Sequence, residues 1–237
     1  MTIWPDMEQG SEEWFRARKG RLTASQMAKV ITPTGKLSSQ WEKLAIRLAG
    51  ECVKPNEIPA FLGNIHTDRG HEMESVAREW FTEWSGLDVR TVGFVTKDDN
   101  PVLGCSPDAL IFDEGELGTD ENGDSYYVVE PKPICGVEIK CPLIENHALY
   151  HYEGGVPEQY RAQVHGSMVV TGLREWWFVS FNEGTEPFVH CQKWDEYTDK
   201  VAEALDEFVT KYAPIRSQVL HKLTKKQKHV RRGKSAA

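Results

Sequence analysis

The clearest periodicity in the chain lies over Asp68–Trp84. There Met73, Val76, Ala77, Trp80, Phe81 and Trp84 recur at the i, i+3, i+4, i+7 spacing of an amphipathic helix, and Gly86 supplies a stop. Two helical signals precede it. Glu12–Val30 reads as a short helix, a break at Gly20 and a second helix, with Thr23 and Gln26 in the Thr-x-x-Gln form of a capping box. Trp41–Ala49 places Trp41, Leu44, Ala45 and Leu48 on one face, and Pro55 and Pro59 bracket a loop. Beyond Gly86 the pattern changes to short β-rich runs at Val92–Thr96, Val102–Gly104, Ala109–Phe112, Tyr126–Val129 and Ile134–Ile139. Between them Asp113–Ser125, rich in Gly, Asp and Glu, reads as a hairpin excursion. Helix returns at Glu158–Thr171, and strands follow at Glu175–Phe181 and Val189–Trp194. A final amphipathic helix carries Val201, Ala204, Leu205, Phe208 and Tyr212 before Pro214 stops it. This order predicts one α/β domain over residues 1–215, a mixed central β-sheet flanked by helices. The excursion at about 113–133 is an insertion within it, and residues 216–237 are expected to form a flexible basic tail.

Composition narrows the class. Of 237 residues 40% are hydrophobic and 10% aromatic, enough for a sizeable core and too much for a disordered chain. No apolar run approaches the ~18 residues of a membrane span, and Met1–Asp6 carries no secretory pattern. Five irregularly spaced cysteines suit reduced thiols, so a cytoplasmic protein without a membrane partner is expected. Charge is divided unevenly. Residues 216–237 hold eight of the 28 Lys and Arg and no acid, which leaves 20 bases against 36 acids in the preceding 215 residues. Such a tail suits nucleic acid or an acidic partner, or simply solvation. The acidic body is compatible with carboxylates that hold cations.

Several chemistries are absent. Neither GxGxxG nor GxxxxGK[ST] occurs, no G-x-S-x-G elbow and no HExxH is present, and Cys135 and Cys141 lack zinc-site spacing. Carboxylate chemistry is left. In Val137-Glu138-Ile139-Lys140, strand alternation puts Glu138 and Lys140 on one face, roughly 7 Å apart, while Val137 and Ile139 pack into the core. An acid and a lysine on a buried strand suit metal-dependent phosphodiester hydrolysis, with Ser106-Pro107-Asp108 at the start of another strand as a further carboxylate source. The chain holds one other acid-x-lysine triplet, Glu130-Pro131-Lys132, but Pro131 and Pro133 confine it to an edge or turn. A third carboxylate would come from the best helix. Periodicity puts Glu74 and Glu72 on opposite borders of its apolar face and does not choose between them.

Five ordered motifs spanning residues 9–168 carry a family resemblance: Gln9-Gly10-Ser11-Glu12-Glu13-Trp14 with Arg18 and Leu22-Thr23-Ala24-Ser25; Gly70-x-x-x-Glu74; Cys105-Ser106-Pro107-Asp108; Glu138-Ile139-Lys140-Cys141-Pro142; and Gln159-Tyr160-x-Ala162-Gln163. Together they resemble the lambda-exonuclease, or YqaJ-type viral recombinase, family. The resemblance implies a restriction-endonuclease-like PD-(D/E)xK nuclease core. Asp108, Glu138, the Ile139 carbonyl and Glu74 would hold Mg²⁺ (or Mn²⁺), two ions per site, and Lys140 would serve the attacking water. It selects Glu74 over Glu72, makes Gln163 a site residue, and assigns Arg18, Ser25 and Ser106 to the 5′-terminal phosphate. The implied activity is 5′→3′ exonucleolytic digestion of one strand from double-stranded DNA ends, for phage-type recombination by strand annealing. A homotrimeric ring, a single-strand annealing partner and a host-cytoplasm location are implied with it. The alternatives are a RecB-like or structure-specific endonuclease of the same fold, or a non-catalytic DNA-binding module. The long stretch between Asp108 and Glu138 and the basic tail depart from the family pattern.

Overall fold

The computed structural model describes residues 1–57, 65–98, 100–120, 122 and 124–233, with the backbone alone over 65–72 and 225–233. In chain order the elements are β1 (Thr2–Trp4), α1 (Glu12–Arg18), β2 (Leu22–Thr23), a 3₁₀ segment (Ala24–Lys29), α2 (Trp41–Glu51), α3 (Ile65–Ser85), β3 (Asp88–Arg90), β4 (Phe94–Lys97), β5 (Asn100–Cys105) and β6 (Ala109–Phe112). Then come β7 (Glu116–Thr119), β8 (Ser125–Val129), β9 (Pro133–Lys140), α4 (Ile144–Glu153), α5 (Glu158–Thr171), β10 (Glu175–Ser180), β11 (Phe188–Lys193) and α6 (Glu196–Gly233). The bracketing Pro59 falls outside the described residues.

A five-stranded mixed sheet, ordered β11-β10-β9-β6-β3, forms the centre, with β9 and β10 parallel and the other pairs antiparallel. Its two faces carry separate apolar clusters. On one, Ala77 and Phe81 of α3 pack with Ala109, Ile111, Val137, Ile139 and Val179. On the other, Trp176 and Phe178 pack with α5, α6, α2 and the 3₁₀ segment. Because β9 is covered on both faces, a polar side chain on it is withdrawn from water, which is costly unless it is paired. A four-stranded sheet, β1-β4-β5-β2, lies beside this centre, and β7 and β8 form a separate antiparallel hairpin. Two glycines permit close packing. A Cβ on Gly136 would lie 2.3 Å from the Trp176 ring, and one on Gly166 of α5 would lie 2.0 Å from Met27 Sδ of the 3₁₀ segment.

Four readings of local pattern differ from the structure. The second helix near Val30 is a 3₁₀ segment, and no capping box forms: Thr23 makes no side-chain cap and its hydroxyl accepts from Arg18 instead. Val76 and Trp84, on the apolar stripe of α3, are 45% and 54% exposed: Ala77 and Phe81 form its buried line against the sheet, and Trp84 reaches only the Trp177 ring of β10, edge-on at 6.0 Å. Trp84 stacks on Trp80 at 5.7 Å. Pro214 does not stop α6. It sits on the exposed side, where losing one backbone bond is tolerated, and Tyr212, Ile215 and Val219 extend the packed stripe past it. Strands β1 and β3 and helix α4 carried signals too short or too weak to predict.

Candidate active site

The centre is built on the last turn of β9. Cys135, Val137 and Ile139 point toward α3, so Glu138 and Lys140 point toward α5. There Glu138 is buried at 1% exposure, and its Oε1 accepts from Gln163 Nε2 of α5 at 2.6 Å and from Lys140 Nζ. The ammonium also lies 5.2 Å from the Tyr160 ring centroid, one turn before Gln163. Burial pulls the Lys140 pKa down, but Glu138 and Asp108 outweigh it and the net shift is upward, so the group stays cationic.

Asp108 is delivered by the strand next door. The register Ala109↔Val137, with Asp108 N–H donating to the Val137 carbonyl at 3.2 Å, sets it level with Glu138. Its Oδ2 accepts from Ile139 N–H at 2.5 Å. Burial, then repulsion from Glu138, raises the Asp108 pKa well above the usual carboxylate range, against the pull of Lys140 and the Ile139 amide. A buried carboxylate pushed up by a neighbouring carboxylate favours an added cation. Arg78 of α3 connects the third carboxylate: its Nη1 donates to Glu74 Oε1 at 3.1 Å and to the Asp108 carbonyl at 3.0 Å. Glu74, Arg78, Asp108 and Gln9 line a cleft of about 320 Å³. The Glu72 side chain is outside the described residues.

A second cluster gathers at the same loop. Arg18, the last residue of α1, donates to Ser106 Oγ at 2.9 Å, Thr23 Oγ1 at 3.2 Å and Ser25 Oγ at 3.3 Å, and stacks over Trp14 at 4.1 Å. Trp14 Nε1 donates to the same Ser106 hydroxyl at 2.9 Å. Gln9 Nε2 holds the Pro107 carbonyl at 2.9 Å, which fixes the loop between Ser106 and Asp108. Burial lowers the Arg18 pKa to about 10, with Cys105 and Glu51 opposing. Its hydrogen-bond partners among the described residues are hydroxyls, with no carboxylate. A half-buried guanidinium so placed is suited to an incoming anion, for which hydroxyls are good co-ligands. A cleft of about 660 Å³ opens at Arg18, with Lys19 and Gln26 in its walls.

Every described side chain named from the sequence therefore joins one of two adjacent clusters, Glu74–Asp108–Glu138–Lys140–Gln163 or Arg18–Ser25–Ser106. Arg78 was missed, although its i+4 spacing from Glu74 on a helix was a usable signal. The donors are hard oxygens suited to Mg²⁺ or Mn²⁺, so the residues fit such an ion chemically. Among the described residues no three acidic, His or Cys side chains already form a closed cation cage. Lys140 and Arg78 occupy carboxylate oxygens that an ion would take.

Comparison with known proteins gives the family and the fold. Residues 13–174 match the YqaJ-like viral recombinase domain. The chain is similar to the crystal structure of an alkaline exonuclease, LHK-Exo, from Laribacter hongkongensis, at 24% identity and a TM-score of 0.70 over 93% of this chain and 100% of that one. The same exonuclease in complex with dAMP aligns at 26% identity and 0.70 over 92% and 99%. A phage-related exonuclease from Haemophilus somnus aligns at 15% and 0.57 over 86% and 96%, a likeness of fold. No curated protein sequence matches significantly. The mixed α/β, restriction-endonuclease-like fold is common to this chain and these exonucleases.

Proposed function

The chain belongs to the YqaJ-like viral recombinase family, and on that premise we propose that it is a metal-dependent exonuclease that degrades one strand of double-stranded DNA from its 5′ ends. The observation that carries this reading is the Ser106-Pro107-Asp108 loop. It joins the anion pocket of Arg18 to the carboxylates of the hydrolytic centre, two residues apart. A nuclease that recognises a terminal phosphate next to its cutting site acts on ends. LHK-Exo has been crystallised with dAMP, a mononucleotide, in keeping with stepwise release from an end.

Asp108, Glu138 and the Ile139 carbonyl, with Glu74, would hold the divalent ions, Mg²⁺ or Mn²⁺, two per site. Bound there, such ions supply Lewis acidity and lower the pKa of water. The side chains do the rest. Gln163 and Lys140 fix the Glu138 carboxylate, and Lys140, kept cationic, orients the attacking water and offsets charge developing on the phosphate. Arg18, Ser25 and Ser106 grip the 5′-terminal phosphate and set the register of the scissile bond. A ring-shaped homotrimer, a single-strand annealing partner, recombination as the biological setting and a cytoplasmic location go with this reading through the family. Lys140→Ala tests it. Mg²⁺-dependent cleavage of a 5′-phosphorylated duplex should fall about 10³-fold while duplex binding without divalent ions is kept. A Lys140→Ala protein as active as the parent would refute the assignment.

A further inference from the structure

The stretch from Arg216 to the end of the chain is a block of eight bases without an acid, behind a body in which acids outnumber bases 36 to 20. A polyanion approaching such a body meets like charge across a screening length of ~8–10 Å, so its grip must come from concentrated cations. The backbone of this stretch continues helix α6 beyond its packed part. The Tyr212 hydroxyl donates to the Gly20 carbonyl at 3.0 Å, and its ring stacks on Phe208 at 5.7 Å. Ile215 and Val219 still pack on the core. Residues 221–224 are exposed, and the backbone stays helical through Gly233. From Leu220 to Gly233 the helix extends about 20 Å at 1.5 Å per residue.

The root of this stretch lies close to the Arg18 cluster. Gly20, on which Tyr212 is tied, follows Arg18 by two residues and lies between Lys19, in the wall of the Arg18 cleft, and Arg21. Arg216 is near enough to act on both Arg21 and Tyr212: burial lowers the Arg21 pKa, Cys52 opposes it, and the Arg216 charge adds to the lowering. Arg18, Lys19, Arg21 and Arg216 therefore run from the anion pocket to the root of the basic helix. Lys19 and Arg21 donate to the backbone carbonyls of Lys54, Pro101 and Ala17 and to no residue of either cluster.

We propose that Arg216–Gly233 of α6 is a phosphate-backbone grip for the duplex whose 5′ end occupies the Arg18 pocket, an inference that rests on the nuclease reading for the identity of that pocket. Its part from Leu220 to Gly233, about 20 Å long, spans about six nucleotide steps at 3.4 Å along a strand. Lysine and arginine on it bind phosphates without reading bases, so the grip is indifferent to sequence and weakens with salt.

The test uses the full-length protein with Lys222, Lys225, Lys226, Lys228, Arg231 and Arg232 all changed to Gln. Glutamine keeps helix propensity, and Arg216, Ile215 and Val219 are left in place. Binding of a 5′-phosphorylated 30-bp duplex is followed by fluorescence anisotropy in EDTA across a salt series, beside a version with the four lysines changed to Arg. The Gln version should bind at least tenfold more weakly at about 100 mM salt, with its log K–log[salt] slope flatter by about 3, and the Arg version should match the parent. Equal slopes in parent and Gln version would overturn the grip. So would loss of self-association in sedimentation with the slope unchanged, which would make the helix a bridge between copies. The two readings fail separately. A parent that binds duplex with the full slope but does not cleave removes the nuclease reading and leaves the grip, and a parent that cleaves with the Gln slope unchanged does the reverse.

Discussion

Two acid-x-lysine triplets lie eight residues apart, with the same two charges in very different surroundings. Glu130-Pro131-Lys132 connects β8 of the hairpin to β9, with both charged residues exposed and its backbone held by Asp113, which accepts from Lys132 N–H at 2.7 Å. Glu138-Ile139-Lys140 ends a strand covered on both faces, with the acid buried and shared between Lys140 and Gln163. In water the first pair is screened and nearly inert. In the second, desolvation makes each charge depend on named partners, and it keeps a carboxylate, an ammonium and an amide in fixed relation before any substrate arrives. On the proposed reading, reactivity is a property of burial and neighbours.

The sharpest way to break this contrast is to neutralise the acid in each. Glu138→Gln should lower the rate of 5′-phosphorylated duplex digestion about 10³-fold, while Glu130→Gln should stay within about twofold and shift stability by less than about 0.5 kcal/mol. Comparable losses from both would erase the distinction. A smaller effect is expected from the supporting amide. Gln163→Ala leaves Glu138 held by Lys140 alone and should cost about 10–100-fold in rate, with the steeper loss at low Mg²⁺. An unchanged Mg²⁺ dependence would show that Gln163 does not orient the carboxylate.

The smallest effect concerns stability. The Asp108 pKa is raised in the folded protein, so its charged form disfavours folding. That penalty is absent below the unfolded value and grows as pH rises toward the folded one. Asp108→Asn should therefore raise the melting temperature of metal-free protein at neutral pH by about 2–4 °C, and the gain should disappear at acid pH. A variant that melts lower at neutral pH would contradict the electrostatic account of the site.

How far the sequence reveals the molecule follows the same division. α3 and β9 were legible because Ala77 and Phe81 at helical spacing, and Cys135, Val137 and Ile139 at strand spacing, meet the same apolar cluster and write their periods into the chain. The Glu138–Lys140 side was readable for this reason. Periodicity could not rank Glu74 against Glu72, since both flank the stripe. The Arg18 pocket was beyond local pattern altogether: it joins residues 88 positions apart, and only an ordered set of motifs pointed to it. Thr23 looked like a helix cap because its local spacing allows one, yet its hydroxyl is taken by Arg18. Pro214 was misread because the proline rule concerns one backbone bond, while Ile215 and Val219 continue the packing beyond it.

The central claim, that the Ser106–Asp108 loop couples terminal-phosphate recognition to hydrolysis, is tested most directly by one digestion. A linear duplex with a single 5′-phosphate is incubated with Mg²⁺ beside the same DNA closed into a circle, and each strand is followed separately. The account predicts rapid loss of the phosphorylated strand from its 5′ end, slow loss of the other and an intact circle. Cutting of the circle, or equal loss of both strands, would contradict it.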